Sequence, residues 1–426
     1  MTDGTATAHL FRPKLTTVLS EGYDLAAFQK DMLAALTVAV VALPLSMAIA
    51  VASGVSPERG LYTSIVGGFL VSALGGSRHQ IGGPAGAFIV LVAATMARFG
   101  LNGLLLTVLM SGVLLTLVGL SRLGSLIRHI PHAVTVGFTS GIAVTIFASQ
   151  IRDFLGMHLP GAEPGPLLPK LAALAHAAPT ISPAALSVGT GVAALIFLIR
   201  RYRSAWPGML IAVVLASVLA TLLGLPVETI GSKFGGIPGR VPTPHLPEIS
   251  FALALQVLPT ALSFTLLGGI ESLLSAKVAD GMTGRKHRSN MELVAQGIAN
   301  IASAIFGGIS VTGTIARTAT NIRAGARSPL SGIMHALFVL LFMVAAAPLA
   351  RYIPLAALAG VLVVVCWNMA EKAEFARLLR NWRTAAVLLA TFGLTLIRDL
   401  TSGIVAGCLV AFILAVARQR VPEEGY

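Results

Sequence analysis

The sequence predicts an all-α polytopic membrane protein, with fourteen transmembrane segments arranged as two inverted repeats of seven. Three observations carry that reading. Of 426 residues, 55% are hydrophobic and only 11% charged, where a soluble domain carries about 25% charged residues; mean hydropathy is +0.85. Apolar runs long enough to cross a bilayer, about 18 residues or more, recur from Asp31 onward. Each half also contains a short, glycine-interrupted apolar stretch in a corresponding position, the pattern that discontinuous helices leave in transporters.

Residues 1–30 are expected to form a cytoplasmic N-terminal segment, with none of the short apolar core of a cleavable signal. The first repeat, 31–224, holds segments at 31–53, 60–75, 84–98, 102–120, 131–150, 183–200 and 206–224. An extracellular or periplasmic connecting loop, 225–256, follows; Pro226, Pro238, Pro242, Pro244 and Pro247 are expected to keep helix out of it. The second repeat, 257–417, holds 257–279, 292–307, 315–328, 330–349, 354–369, 384–397 and 400–417, before a cytoplasmic tail at 418–426. Residues 151–182 read as another loop, and 371–381 as an amphipathic interfacial helix around Phe375, Leu378 and Leu379. At 1.5 Å per residue the segments 84–98 and 315–328 are too short to span alone.

Charge gives the orientation. Alternating the segments from a cytoplasmic N-terminus puts 21 of the 30 Lys and Arg on the cytoplasmic side and 8 outside, leaving Arg317 within the bilayer. That asymmetry favours both termini in the cytoplasm, as expected for a bacterial-type plasma (inner) membrane. It also accounts for the net charge of +13 without nucleic acid, so "GRKHRSN" at 284–290 reads as a cytoplasmic loop. Cys366 and Cys408 lie in apolar runs and read as packing residues. His79, His129 and His132 show no metal-ligand spacing. There is no Walker A stretch and no evident Ser-His-Asp or paired-carboxylate arrangement, so neither an enzyme nor a cofactor is expected.

The halves resemble each other. "IPHAVTVG" (130–137) answers "IPLAALAG" (353–360), and "SALGG" (72–76) answers "SAIFGG" (303–308), at offsets of about 220 to 230 residues. After each double glycine comes an extended-looking stretch and then a short helix: "SRHQIGGPAGAF" and "ISVTGTIARTA". Seven segments per repeat is odd, so the second copy inserts upside down, and the site is expected where the broken helices meet at the midplane.

In the first break Pro84 suits the first helical position and Gly86 allows close backbone approach, beside Ala85. In the second, Thr314 offers a capping hydroxyl ahead of Ile315 and Ala316. Two facing helix N-termini, each with free N–H groups and a positive dipole end, make an anion site. Arg317 adds a full positive charge in the first turn of the second helix; the alternative is a structural arginine paired between helices. Thr314, Thr318 and Thr320 are either site lining or interhelix hydrogen bonders. Glu271 is the one carboxylate that the segment boundaries place deep in a span. It can carry a proton, or bind Na⁺ together with Ser275 one turn on, or serve as a fixed partner of Arg317. Pro44 in "VALPLSMAIA" reads as a kink.

These residues resemble the SulP anion transporters, which include the vertebrate solute-carrier 26 proteins. The likeness runs through 24–70, "GGSRHQIGGPAGAF" (75–88), 130–156, "GGIESLLSAKVADGMTGRKHRSNMELVAQGIANIASAIFGG" (268–308) and "ISVTGTIARTATNIRAGARSPLSGIMHAL" (309–337). The resemblance implies seven-plus-seven inverted repeats divided into a core and a gate domain. It implies an anion held around Ala85, Gly86, Thr314, Ile315 and Ala316, with Arg317 matching an arginine tied to anion binding and Glu271 matching an acidic coupling position. The implied function is secondary active transport of a small anion (sulfate, bicarbonate, chloride or dicarboxylate) by proton symport. Sodium symport and uncoupled exchange or channel activity are the alternatives. Family members are mostly homodimers with a cytoplasmic STAS domain after the last span; here only the tail "RQRVPEEGY" (418–426) follows it.

Overall fold

The computed structural model describes residues 11–124, 131–161, 163–164, 167–203, 206–398 and 400–419. Arg128, His129, Ile130 and the tail from 420 onward, which the sequence reading used, lie outside the described residues. A short helix α1 (Lys14–Glu21) precedes α2 (Leu25–Ala52), which Asp24 caps by accepting from Ala27 N–H at 2.8 Å. The helix α2 runs on through Pro44 without interruption in its assignment. Next come α3 (Pro57–Tyr62), a π-helical turn at Thr63–Gly67, and α4 (Gly68–Leu74). The two-residue strand β1 (Gly82–Gly83) and a 3₁₀ turn at Gly86–Phe88 lead into α5 (Ile89–Leu120). Gly100, at φ 64° and ψ −172°, breaks α5 in two, so the piece from Ile89 to Phe99 is short.

The chain continues through α6 (His132–Leu155), α7 (Leu167–His176), α8 (Pro183–Tyr202), α9 (Gly208–Leu222) and α10 (Ile230–Phe234). The second half opens with α11 (Phe251–Thr283) and α12 (Ser289–Ile305). It proceeds through β2 (Thr312–Gly313), α13 (Ile315–Arg323), α14 (Leu330–Ala350), α15 (Leu355–Met369), α16 (Lys372–Leu379), α17 (Trp382–Ile397) and α18 (Leu400–Gln419).

Helix lies within each apolar stretch read from the sequence, but in 315–328 it ends at Arg323 and in 84–98 it begins only at the 3₁₀ turn Gly86–Phe88. By length and composition, seven stretches of the described residues can cross a membrane: 25–52, 86–120, 132–155, 183–202, 251–283, 330–350 and 355–379. Three shorter apolar helices lie at 208–222, 382–397 and 402–416. Apolar side chains face outward along these helices, among them Leu33, Leu117, Val218, Leu341 and Phe412. An exposed apolar jacket of this kind fits a lipid environment, where backbone groups must be satisfied within helices.

Two loop expectations are corrected. Within 151–182, α6 extends to Leu155 and α7 forms, because Leu174 packs with Met157 and Ala177. Lys170 is drawn inward to Ser149 Oγ at 3.0 Å and Glu163 at 2.9 Å. Within 225–250, α10 forms in the proline-free gap between Pro226 and Pro238, closed by a capping box between Thr229 and Ser232. The helix α11 also begins at Phe251, earlier than the expected 257, because Ser250 caps it through Leu253 N–H at 3.1 Å.

The halves interlock. Between the halves, the most extensive packing joins α5 to α12, α5 to α11 and α17 to α6. Near the chain's midpoint, Ile230 N–H donates to Ile353 O and Leu355 N–H to Glu228 O, both at 2.9 Å.

Candidate functional site

The strands β1 and β2 pair antiparallel, Gly82 opposite Gly313 and Gly83 opposite Thr312. These two-residue strands come from opposite halves of the chain and are both buried. Each leads directly into a helix start, and antiparallel pairing directs the two helices away from each other, so their N-termini begin at one level. Neither start has a side-chain cap: Ala85 precedes the 3₁₀ turn and Thr314 precedes α13 without one. The Thr314 hydroxyl, expected to cap, turns back to Ile81 O at 3.4 Å, and Thr314 N–H donates to the same carbonyl at 3.0 Å. The first bond of α13 runs from Thr318 N–H to Thr314 O at 3.0 Å. The N–H groups of Ile315, Ala316 and Arg317 precede it and have no acceptor within the helix.

Arg317 is 2% exposed. Its Nη1 donates to Ser64 Oγ at 3.2 Å, and its Nη2 to Ser46 Oγ at 3.0 Å and Pro84 O at 3.5 Å. The two serine hydroxyls are themselves 2.8 Å apart. Ser64 lies in the π-helical turn, whose extra residue re-aims the side chains of this segment. A Cβ added to Gly83 would overlap Arg317 Nη1, so this glycine makes room for the guanidinium. Among the described residues no carboxylate lies within ion-pair distance of Arg317, so the expected alternative of a Glu271 partner is not what holds it.

On α11, Glu271 is partly exposed, and its buried Oε2 has no hydrogen-bond partner among the described residues. Ser275, one turn on, is fully buried and donates to Thr318 Oγ1 at 3.2 Å. Between them Ser272 ties α11 to β2: its Oγ lies 2.6 Å from Thr312 Oγ1 and accepts from Gly313 N–H at 3.3 Å. Gly86 and Ile315 are half-buried and Ala316 is exposed, whereas Pro84, Ala85 and Thr314 are buried. The nearest side chains beyond Gly86 are Ile146 of α6 and Met369 at the end of α15.

Sequence reasoning missed two carboxylates. Asp31 and Glu292 each fall in the first turns of a helix, yet both are fully buried. Asp31 accepts from Tyr23 Oη at 2.7 Å, from Arg327 N–H at 2.6 Å, and from Ser328 N–H and Oγ. Glu292 Oε2 accepts from Gly76 N–H at 2.8 Å and Ser77 N–H at 3.0 Å. Its Oε1 accepts from Gln80 Nε2 at 2.9 Å and Gln296 Nε2 at 3.0 Å. Gln80 also donates to Ser272 O at 3.2 Å, and a Cβ on Gly313 would overlap it. Glu292 therefore anchors the segment that delivers β1. The signal in the sequence was weak: a carboxylate at a helix start ordinarily faces water.

The model of the sulfate permease family matches residues 28–392. The chain belongs to the sulfate permease family. The putative sulfate transporter YvdB of Bacillus subtilis is 44% identical over 403 residues, 93% of this chain and 75% of that protein. The bicarbonate transporter BicA of Picosynechococcus is 32% identical over 91% of this chain and 70% of its own length. The solved transmembrane domain of a cyanobacterial BicA superposes with TM-score 0.81 at 30% identity, covering 90% of this chain and 98% of that one. SLC26A9, at 18% identity and TM-score 0.88, shares the fold. The named relatives are transporters, so this sulfate permease family member is an integral membrane transporter and not an enzyme.

Proposed function

We propose that this chain is a secondary active transporter of a small anion of the sulfate, bicarbonate or dicarboxylate class, driven by proton symport and working by alternating access. One observation carries the reading. A buried guanidinium, Arg317, has no carboxylate partner among the described residues and lies beside two helix starts without side-chain caps. Burying an unpaired charge is unfavourable, and a bound anion supplies the missing partner. The anion sits against Pro84, Ala85, Gly86, Thr314, Ile315 and Ala316, receiving N–H groups from both helix starts. Arg317, turned to Ser46 and Ser64, acts mainly through the field it sets there.

Glu271, with an unpartnered buried oxygen, is the coupling group, and Ser275 holds the adjacent turn of α11 to α13 through Thr318. Protonation removes the carboxylate's repulsion toward the anion, so proton and anion travel together. The fold reading extends to fourteen spans in seven-plus-seven inverted repeats with core and gate domains, both termini cytoplasmic in a bacterial-type inner membrane, and a homodimer. The pairing of one strand from each half favours the inverted repeat.

Uptake into proteoliposomes of labelled sulfate, bicarbonate and succinate, with and without an inward proton gradient, tests this. Proton-driven uptake of one of them, lost in Arg317→Ala, is expected. Uptake equally responsive to the proton gradient in Glu271→Gln would remove Glu271 from coupling. A requirement for a sodium gradient would replace the proton by Na⁺, and gradient-independent chloride current would indicate an uncoupled exchanger or channel.

A further inference from the structure

A large apolar groove lies outside the proposed anion site, with α9 on one side and α2 and α14 on the other. Its volume is about 450 Å³, within the range of about 300–1,000 Å³ typical of ligand pockets. Leu43, Pro44 and Met47 of α2, Leu61 of α3, and Phe342 and Met343 of α14 form its floor, all buried or half-buried. Val214, Val218 and Leu222 of α9 line it too but are exposed, as are Leu349 and Tyr352 at and just past the end of α14. The groove therefore opens onto the apolar outer face of the bundle. Along α9 it runs from Leu210 to Leu222, which at 1.5 Å per residue is about 18 Å. One leaflet contributes about half of the 30 Å hydrocarbon core of a bilayer. The groove thus has the length of one leaflet's acyl chain and is too short for a spanning helix.

The end of the groove where α9 and α14 terminate carries positive charge. Arg351 stands between two lining residues, Ala350 and Tyr352, with its Cζ 5.9 Å from the centre of the Tyr352 ring. The segment after α10 runs along the same rim: Ile237 lines the groove, a Cβ on Gly236 would lie 3.9 Å from that of Arg351, and one on Gly239 3.3 Å from that of Ala347. Arg240 follows directly. Both arginines are exposed, and neither joins an ion pair among the described residues. They are also two of the eight cations that the charge count leaves on the outer side. We propose that the groove binds an anionic phospholipid of the outer leaflet, one acyl chain lying along α9 and its phosphate held by Arg240 and Arg351. A chain lying there has apolar contact along its length, and arginine matches a phosphate by paired N–H donors. The occupant also touches the elements that hold Arg317. Met47 follows Ser46 in α2, and Leu61 lies one turn before Ser64.

Phosphatidylglycerol and phosphatidylcholine with the same photoreactive acyl chain, each cross-linked to the full chain in proteoliposomes and mapped by peptide, test this. Label is expected on 210–222 and 342–353, with phosphatidylglycerol preferred about tenfold or more. Arg240→Gln and Arg351→Gln should each lower that preference about fivefold, the worth of one arginine toward an anionic headgroup. Ala346→Phe, which places a ring in the groove from an exposed position, should remove the label of both lipids there. Equal labelling of the groove by the two lipids overturns the proposal, as does a preference that survives in the double arginine variant. A cross-link from the groove to a second copy of the chain in place of lipid overturns it as well. If Ala346→Phe does not fold, the two arginine variants, altered only at exposed side chains, still decide the matter. Labelling is read without transport, so a chain that binds the lipid but carries neither sulfate nor bicarbonate overturns the anion reading and leaves this one standing.

Discussion

Gly83 and Gly313 set the tolerances of the centre. A methyl group on Gly83 meets the Arg317 guanidinium, and one on Gly313 meets the Gln80 amide. Neither contact is the far end of a freely moving chain, since both groups are held by several hydrogen bonds. Gly83→Ala should therefore displace Arg317 and abolish anion-dependent thermal stabilisation of the purified protein, at a general stability cost of about 1–3 kcal/mol. Gly313→Ala should lower the melting midpoint by a similar amount while leaving Arg317 in place, which a comparison of anion-induced shifts in the two variants would separate. Glu292 behaves differently because each of its oxygens accepts two N–H groups. Glu292→Gln turns one acceptor into a donor facing donors, so a loss of about 3 kcal/mol is expected. Glu292→Asp should lose less if the shortened chain still reaches Gln80, a difference that thermal unfolding in detergent would reveal.

At the scale of elements, the π-helical turn between α3 and α4 and the break at Gly100 explain how short pieces come to do the work of longer ones. The turn brings Ser64 to Arg317. The amphipathic helix α1 illustrates a different kind of attachment. Its Glu21 carboxylate receives both oxygens' bonds from Arg78 Nη2, at 2.6 and 2.7 Å, and Lys14 N–H donates to Gly75 O at 2.9 Å. The hydrogen bond from Arg78 holds the Glu21 carboxyl below its usual value of 4.5. A depressed carboxylate contributes its stabilisation fully above the ordinary value and loses it as pH falls through the folded one. Hydrogen exchange of residues 14–21 should thus quicken as pH drops below about 4.5, after correction for the intrinsic rate. Arg78→Ala should remove that pH dependence; an unchanged profile would show that α1 is held by Val18 packing alone.

For the whole molecule, the two halves depend on each other. β1 has its only strand partner among the described residues in β2, and α5 buries itself against α11 and α12. At the other end Arg59 Nη1 donates to Gly307 O at 2.7 Å and Thr63 accepts from Ile309 N–H at 2.7 Å. Residues 1–240 expressed alone should be degraded, whereas the same piece expressed with 241–426 should co-purify with it and regain uptake. Stable accumulation of the first half alone would show that each repeat has a self-sufficient core.

The sequence by itself determined the helical membrane class, the rough places of the apolar helices and the two breaks. Those follow from local facts: the length of apolar runs, the charge asymmetry of the loops, and Gly-Gly-Pro or Thr-Gly-Thr interrupting a run. Arg317 and Glu271 also stood out, because a charge flanked by long neutral stretches is visible without a structure. Tertiary structure decided what each charge faces. Arg317 meets Ser46 and Ser64 from more than 250 residues earlier in the chain instead of Glu271. Glu292 and Asp31, which resemble ordinary helix-start carboxylates, become buried because distant backbone N–H groups from 76–77 and 327–328 converge on them. Contacts between residues so far apart in sequence depend on how the two halves dock, and no local pattern of residues encodes that docking.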